Sequence, residues 1–162
     1  FAKAYRHPCA FRYPRGAFLA ADSSCEPYEL GKSVMLQEGE DALFIGYGNG
    51  VGRAMLTAEL MEQKVGILDL RFVKPLDIKM LLKLSADYKK WYVFSDSAAK
   101  GGVGSALLEL LSEEGMADVS LTTFEYDDAF ITHGETTLVE ESLGLLPEQL
   151  AARIYKDLRE DN

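Results

Sequence analysis

Residues 42–52 read ALFIGYGNGVG, a fully apolar run that leads into a glycine-rich turn. Apolar side chains then recur at helical spacing, at Val51, Ala54, Met55, Ala58 and Met61. A strand that is apolar along its whole length, without alternation, is typical of a sheet that helices cover on both faces. The stretch therefore predicts a strand, a tight turn and a helix, which is the repeating unit of a parallel α/β sheet.

The same alternation of apolar runs and helical patterns continues along the chain. Short strands are predicted at 9–13 and 34–37, and further core strands at 65–68, 91–94 and 119–124. Helices are predicted after Asp77, which can cap one, after the glycines at 101–104, and at 135–143 and 147–160. Together these elements predict an α/β domain with a mostly parallel sheet.

The overall composition disfavours several classes of protein. The 162 residues fit one globular domain, and 26 acidic against 17 basic residues give a formal charge of −9. Nucleic-acid binding is disfavoured because it needs a basic face, and no apolar run approaches the ~18 residues of a membrane helix. Cys9 and Cys25 match no metal-ligand spacing and are interpreted as cytoplasmic thiols. The chain begins at Phe1 rather than Met, so we expect it to be a piece of a longer protein.

Two glycine-rich turns are candidate ligand sites. At residues 46–52, a dinucleotide site would need Gly-x-Gly-x-x-Gly or Ala, with an acid about 20 residues further on. Asp69 stands at that distance, but Val51 and Arg53 occupy the third glycine position of the two frames, which favours a tight structural turn. The second turn, residues 100–105, could bind an anion at a helix N-terminus. It lacks the Walker A spacing, so a turn or a close approach of another backbone is favoured there too.

Three further segments carry candidate binding groups. Arg12 and Arg15 suit phosphate because a guanidinium makes two parallel hydrogen bonds, although both could be solvated surface residues. Residues 69–77 place charged groups at the end of a buried strand, where open α/β sheets have their sites. The proline and the final aspartate of that segment are sufficiently explained as helix-start signals. His133 could exchange protons near neutral pH, or it could be a hydrogen-bonded loop residue.

Taken together, four stretches resemble the C-terminal domain of the transketolase family. They read FRYPRG at 11–16, DLRFVKPLD at 69–77, GGVGS at 101–105 and FITHG at 130–134, with LGL following at 143–145. The resemblance runs from about residue 9 to the end of the chain. Two places depart from it: residues 94–97 keep a single acid, Asp96, and residues 124–128 read FEYDD where the family usually has Gly-Ile/Leu-Pro-Asp.

The resemblance implies a three-layer α/β/α fold with a mostly parallel five-stranded sheet and one antiparallel edge strand. It divides the chain into 1–16, the tail of a preceding pyrimidine-binding domain, 17–32, a linker or arm, and 33–162, the transketolase C-terminal-like domain. It also implies that the parent enzyme is a homodimer that binds thiamine diphosphate and Mg²⁺ in upstream domains. No catalytic, cofactor-binding or metal-binding residue is therefore expected in this chain.

The stretch at 11–16 points to one branch of the family, whose reaction joins pyruvate to glyceraldehyde 3-phosphate with loss of CO2. Its product is a precursor of isoprenoids, thiamine and pyridoxal. By motif position, Arg15 would hold the phosphate of the acceptor substrate. Arg12, which is not carried over from the motif, and His133 are the other candidate substrate-binding residues. We expect an isolated fragment of this kind to be inactive.

Two alternatives remain open from the sequence. The first is another member of the same family, either a transketolase or the β subunit of a 2-oxo acid dehydrogenase, which the stretch at 11–16 disfavours. The second is a binding or scaffold domain without a catalytic role. The second alternative is supported by the incomplete dinucleotide pattern and by the lack of a recognisable nucleophile–base pair.

Overall fold

The apolar run at residues 42–46 forms the central strand of a five-stranded sheet, in a computed structural model that describes residues 1–10 and 27–160. The strands are β1 (Val34–Gln37), β2 (Ala42–Gly46), β3 (Val65–Asp69), β4 (Lys90–Ala98) and β5 (Ser120–Tyr126). Their order in the sheet is β1-β3-β2-β4-β5. The last four strands are parallel and β1 pairs antiparallel with β3 at one edge.

Five helices follow the strands in the order that the sequence predicts. They are α1 (Asn49–Glu59), α2 (Ile78–Asp87), α3 (Val103–Glu113), α4 (Thr136–Ser142) and α5 (Pro147–Glu160). Side chains of α2 and α3 pack on one face of the sheet, and side chains of α1 and α5 pack on the other. The three-layer α/β/α fold with a mostly parallel sheet is confirmed.

Aromatic rings fill the face of the sheet that α1 and α5 cover. Phe44, Tyr92, Phe94 and Phe124 are all at least 98 % buried, and neighbouring ring centroids lie 5.0–6.0 Å apart. Contacts at this separation between large side chains contribute more than their buried area alone. The central strands are therefore held in register by packing from both faces.

The buried side of α1 combines apolar residues with small ones and one charged one. Ala54 is fully buried, and Met55, Ala58 and the following Met61 are partly buried against the same core cluster. The other buried residues of the helix are Gly50, Gly52, Arg53 and Thr57. Glycine at position 50 lets the helix approach β4 closely, because a Cβ there would overlap the carbonyl of Phe94.

The predicted strand at 9–13 and the domain limit at 16 fall largely outside the described residues, whereas the limit at 32 lies within them, just before β1 begins at Val34. Residues 9 and 10 have no regular secondary structure, and 11–26 are not described. The division of the chain at these limits therefore stays a prediction. Among the described residues, no helix is long and apolar enough to span a membrane.

Candidate functional site

The parallel strands β2, β3, β4 and β5 all end at the same edge of the sheet, which we call the carboxyl edge. Open α/β sheets place their ligand sites at this edge because the loops and helix N-termini converge there. Among the described residues, a polar cluster lies on each side of the ends of β4 and β5. The first contains Arg53, Asp96, Tyr126 and Glu140, and we call it the arginine cluster.

Arg53 lies at the centre of the arginine cluster and its side chain is only 4 % exposed. Its Nη2 lies 2.7 Å from Oε1 of Glu140 and 3.1 Å from Oδ1 of Asp96, so one nitrogen joins α4 to β4. Its Nη1 is buried and has no hydrogen-bond partner among the described residues. Because a buried cation without counter-charges is very costly, the two carboxylates are what permit Arg53 to lie here.

Tyr126 completes the arginine cluster from the end of β5. Its hydroxyl donates a hydrogen bond to Oε1 of Glu140 at 3.2 Å. Burial, followed by the nearby charges of Asp96 and Glu140, raises the pKa of Tyr126 above its ordinary value, because a phenolate there would be desolvated and repelled. The tyrosine therefore stays a neutral hydrogen-bond donor that fixes the end of β5 against α4.

A cavity of about 220 Å³ lies beside this cluster and brings in His133. Its walls include Tyr126, Thr132, His133, Gly134 and Glu140. The predicted residue His133 is thus placed at the carboxyl edge, on an exposed loop. Ligand pockets usually measure roughly 300–1,000 Å³, so this cavity is small for a substrate and suits a single side chain or a few water molecules.

The second polar cluster lies at the N-terminus of α3 and centres on Glu125, which is 8 % exposed. Its carboxylate accepts a hydrogen bond from Ser97 Oγ and two from the backbone N–H of Gly104, at 3.2 Å to each oxygen. Ser97 Oγ also accepts a hydrogen bond from the N–H of Val103 at 3.1 Å. A helix N-terminus attracts negative charge, and here the protein's own carboxylate supplies it.

This arrangement corrects one of the possibilities left by the sequence. The glycine turn at 100–105 was a candidate site for an external anion, but Glu125 already occupies the position in front of the helix. The favoured structural alternative holds instead. A Cβ at Gly104 would overlap Thr123 of β5 and the carboxylate of Glu125, so glycine is needed for the helix to approach the strand.

The glycine turn after β2 also has a structural reason. A Cβ at Gly50 would overlap the carbonyl oxygen of Phe94 in β4, so that α1 can start where it does only with glycine at this position. The N–H of Tyr47 donates to the same carbonyl at 3.0 Å. The turn is therefore closed against the neighbouring strand, which agrees with the incomplete dinucleotide pattern.

The segment 69–77 leaves β3 and leads into α2. Asp77 caps α2 by accepting a hydrogen bond from the N–H of Met80 at 3.3 Å, and it accepts two more from the N–H and Oγ of Ser33. Asp69 accepts hydrogen bonds from the N–H and Nε of Arg71, both at 3.2 Å. These acids are used to hold the local structure, as the helix-start interpretation of Asp77 predicts.

Arg12 and Arg15, the predicted phosphate-binding residues, lie outside the described residues, so their positions stay predictions. Within residues 1–10 and 27–160, no group of three or more His, Cys, Asp or Glu side chains could hold a metal ion. The described residues therefore do not provide a donor set for Mg²⁺.

The sequence interpretation missed Arg53, Tyr126 and Glu140. One signal could have found Arg53, because a long charged side chain among the small residues of a packing face needs a buried counter-charge. The partners themselves left no local signal, since Arg53 and Glu140 are 87 residues apart.

Comparison with known proteins decides the family. The sequence profile of the transketolase C-terminal domain matches residues 31–150, about three quarters of the chain. The chain belongs to the transketolase C-terminal domain family. The fold is shared with a solved structure described as a split-gene transketolase, inactive β4 tetramer, which superimposes with a TM-score of 0.79 over 90 % of this chain and 48 % of that one, at 24 % identity.

Curated members of this family are similar along almost the whole chain. The 1-deoxy-D-xylulose-5-phosphate synthase of Sulfurimonas denitrificans is 56 % identical over 156 residues, which cover 95 % of this chain and 26 % of the relative. The enzymes of the same name from Aliarcobacter butzleri and Helicobacter pylori are 54 % and 49 % identical. The chain thus spans about a quarter of the length of these relatives.

Proposed function

We propose that this chain is the C-terminal part of a synthase that condenses pyruvate with glyceraldehyde 3-phosphate to give 1-deoxy-D-xylulose 5-phosphate and CO2. The observation that carries the proposal is the 56 % identity with the Sulfurimonas denitrificans enzyme of that name over 95 % of this chain. In this proposal the product feeds the synthesis of isoprenoids, thiamine and pyridoxal. The parent enzyme acts as a cytoplasmic homodimer.

The proposed division of labour gives the carbon chemistry to upstream domains. Thiamine diphosphate, bound there with Mg²⁺, supplies the stabilised carbanion that such a condensation needs. Residues 1–16 are the end of the preceding domain, 17–32 form the linker, and 33–162 form the C-terminal domain. The share of the present chain is to bind the phosphate of the acceptor and to provide a packing surface.

Arg15 is the residue proposed to bind that phosphate. It is the second arginine of the stretch RYPRG at 12–16, and a guanidinium can meet two phosphate oxygens at once. Phosphate binding far from the reacting carbon still lowers the barrier, because it orients the aldehyde for attack. Arg12 and His133 stay predicted substrate-binding residues without a specific contact.

An activity assay of the full-length protein tests the proposed function. Pyruvate, glyceraldehyde 3-phosphate, thiamine diphosphate and Mg²⁺ are expected to give 1-deoxy-D-xylulose 5-phosphate with release of CO2. A folded, cofactor-loaded protein that forms no such product would contradict the proposal. Ketose phosphates and a lipoyl domain would then be tried as acceptors, which distinguishes a transketolase from a 2-oxo acid dehydrogenase.

The substitution Arg15→Ala in the full-length protein tests the site. Loss of one bidentate, charge-assisted contact should cost on the order of 2–4 kcal/mol, seen as a rise in the KM for glyceraldehyde 3-phosphate with little effect on pyruvate use. That energy corresponds to a loss of roughly 30- to 900-fold in kcat/KM for the acceptor. The matched control is Arg6→Ala in the same basic segment, which should change neither KM. An unchanged KM for glyceraldehyde 3-phosphate in Arg15→Ala would contradict the assignment of Arg15 as the phosphate-binding residue.

A further inference from the structure

The loop that leaves β5, together with α4, presents apolar side chains to solvent at the carboxyl edge. Phe130 is 107 % exposed and Leu138 is 64 % exposed, while Ile131 and Leu143 are 46 % and 37 % exposed. None of the residues of α4 is buried. Short helices without a packed face are marginal in water, and an aromatic ring left in solvent forgoes its burial energy. Residues 127–143 therefore form a surface that needs cover, and we call them the edge segment.

The edge segment combines this apolar surface with an acidic rim. Exposed acidic side chains stand at Asp127, Glu135 and Glu141, and the segment contains no Lys or Arg. Two further acids are already paired within the domain, Glu140 with Arg53 and Asp128 with Lys100. Interfaces between domains of one chain are more polar than permanent ones and surround apolar contacts with charged groups. The matching surface should therefore offer an apolar recess flanked by basic groups.

The position of the chain's first residues indicates what supplies that surface. Phe1 packs against Phe72 with ring centroids 5.7 Å apart, and Phe72 lies three residues beyond the end of β3. Any part of the protein that precedes Phe1 is thus delivered to the carboxyl edge. The edge segment leaves the same edge from β5, three strand spacings away, which is roughly 15 Å. A domain of about 150 residues has a radius of gyration of roughly 15 Å, so it reaches across this distance.

Charge complementarity favours the same occupant. Residues 1–16 carry four basic side chains, Lys3, Arg6, Arg12 and Arg15, and no acidic one. Two of them, Lys3 and Arg6, belong to the described residues 1–10, whose first residue packs against Phe72 at the carboxyl edge, so basic residues are present on the side where an upstream domain would attach. The relatives extend to about four times the length of this chain, which leaves ample protein to cover the segment.

We infer that the edge segment, with Phe130 at its centre, docks onto the upstream domain of the same subunit in the full-length protein. The inference rests on the proposed function only in taking the chain as the C-terminal part of a longer synthase. In this inference the arginine cluster positions the docking surface. Arg53 joins α4 to β4 through Glu140 and Asp96, and this holds the edge segment in a fixed position relative to the sheet.

A photo-cross-linking experiment on the full-length protein tests this inference. The photoreactive p-benzoylphenylalanine replaces Phe130, and mass spectrometry identifies the joined peptides. The expected partner is a peptide N-terminal to Phe1, and a mixture of light and heavy isotope-labelled chains should give pairs of a single label only. The matched control replaces Leu60, which is 53 % exposed. Leu60 lies at the opposite edge of the sheet, because α1 begins at the carboxyl edge and runs back to the edge where β3 begins. It should give no upstream cross-link.

Other outcomes overturn the inference. Cross-links to residues 27–160 of a differently labelled chain would mean that the same domain of a second copy covers the segment. Upstream cross-links that join a light chain to a heavy chain would mean that the upstream domain of the partner subunit covers it. The absence of any cross-link from a folded protein would mean that the segment stays uncovered. None of these cross-linking results depends on catalysis. A protein without synthase activity would therefore contradict the proposed function, while the cross-links would still test the docking of the edge segment.

Hydrogen exchange gives a second measurement. Phe130→Asp in the full-length protein should raise the exchange rates of amides in residues 127–143 about tenfold, the change that 1.4 kcal/mol of lost interface energy produces. Leu60→Asp serves as the control and should leave those rates unchanged. Equal rates in the wild type and Phe130→Asp would contradict the docking of this segment.

Discussion

The two glycine-rich turns of the sheet look alike in sequence and differ in the structure. Each follows an apolar strand and opens a helix, α1 in one case and α3 in the other. At the start of α1, the backbone of β4 fills the space that a side chain at Gly50 would need, and Arg53 of α1 is neutralised by carboxylates from β4 and α4. At the start of α3, the buried carboxylate of Glu125 receives the helix N–H groups.

The difference teaches that a glycine turn before a helix does not by itself indicate a bound phosphate or dinucleotide. Free N–H groups at a helix N-terminus must be satisfied, and a protein can do so with its own backbone or its own acid. The two turns in this chain use these two solutions. Variants that act on one turn and leave the other unchanged can therefore test the comparison.

The largest effect is expected at the first turn. Gly50→Ala should lower the free energy of unfolding by more than about 3 kcal/mol, because the carbonyl of Phe94 is held in β4 and cannot move away. Gly48→Ala is the control: its φ of 59° with ψ of −127° would strain an alanine by about 1–3 kcal/mol, but its Cβ meets nothing within 4 Å. Urea unfolding measures both losses. Equal losses would show that backbone conformation, and not the contact with β4, makes glycine necessary here.

The next effect concerns the cation beside this turn. Arg53→Met should cost about 2–3 kcal/mol, less than the 3–5 of a fully buried pair, because the side chain of Asp96 is 40 % exposed. Glu140→Gln in the Arg53→Met background should cost less than it does alone, since the repulsion between Glu140 and Asp96 is then relieved. A double-mutant cycle measures this coupling. Strictly additive losses would mean that the ion pairs contribute nothing to the fold.

A smaller effect is expected at the second turn. Glu125→Gln keeps the shape of the side chain but removes its charge and turns an N–H₂ group toward the N–H of Gly104. The free energy of unfolding should fall by about 1–2 kcal/mol, the cost of leaving a buried donor unpaired. Glu113→Gln, on the exposed end of the same helix, should stay within about 0.5 kcal/mol of the wild type. No difference between the two variants would contradict the role of Glu125 at the helix start.

The smallest effect is one of pH. Because the pKa of Tyr126 is raised in the folded protein, its phenolic proton is held more tightly there than in the unfolded chain. The resulting stability is fully present below the ordinary pKa of 10.0 and is lost as the pH rises through the raised value. Tyr126→Phe should therefore lose less stability than the wild type between about pH 9 and pH 11. Parallel pH profiles would show that the arginine cluster does not perturb this tyrosine.

Much of the fold follows from the sequence, because strands and helices are encoded by apolar patterns within short windows. The runs at 42–45, 65–68 and 91–94 lie within observed strands, and Asp77 caps α2 as predicted. Boundaries were less accurate: β4 extends to Ala98 and β5 to Tyr126, since pairing continues beyond the apolar runs. Polar residues in those extensions contribute to both clusters at the carboxyl edge: Asp96 and Tyr126 to the arginine cluster, and Ser97 and Glu125 to the other. These residues lie beyond the apolar runs that predicted the strands.

The sequence by itself determined the α/β alternation and the family, because patterns and motifs are local along the chain; the role of Arg12 and Arg15 stays a prediction. Only the tertiary structure decided which polar groups pair. Arg53 pairs with Glu140, 87 residues away, and the N–H of Gly104 pairs with Glu125, 21 residues away, so no pattern within a short window predicts these pairs. They form because a buried charge or donor is stable only where the completed fold brings a partner within hydrogen-bond distance.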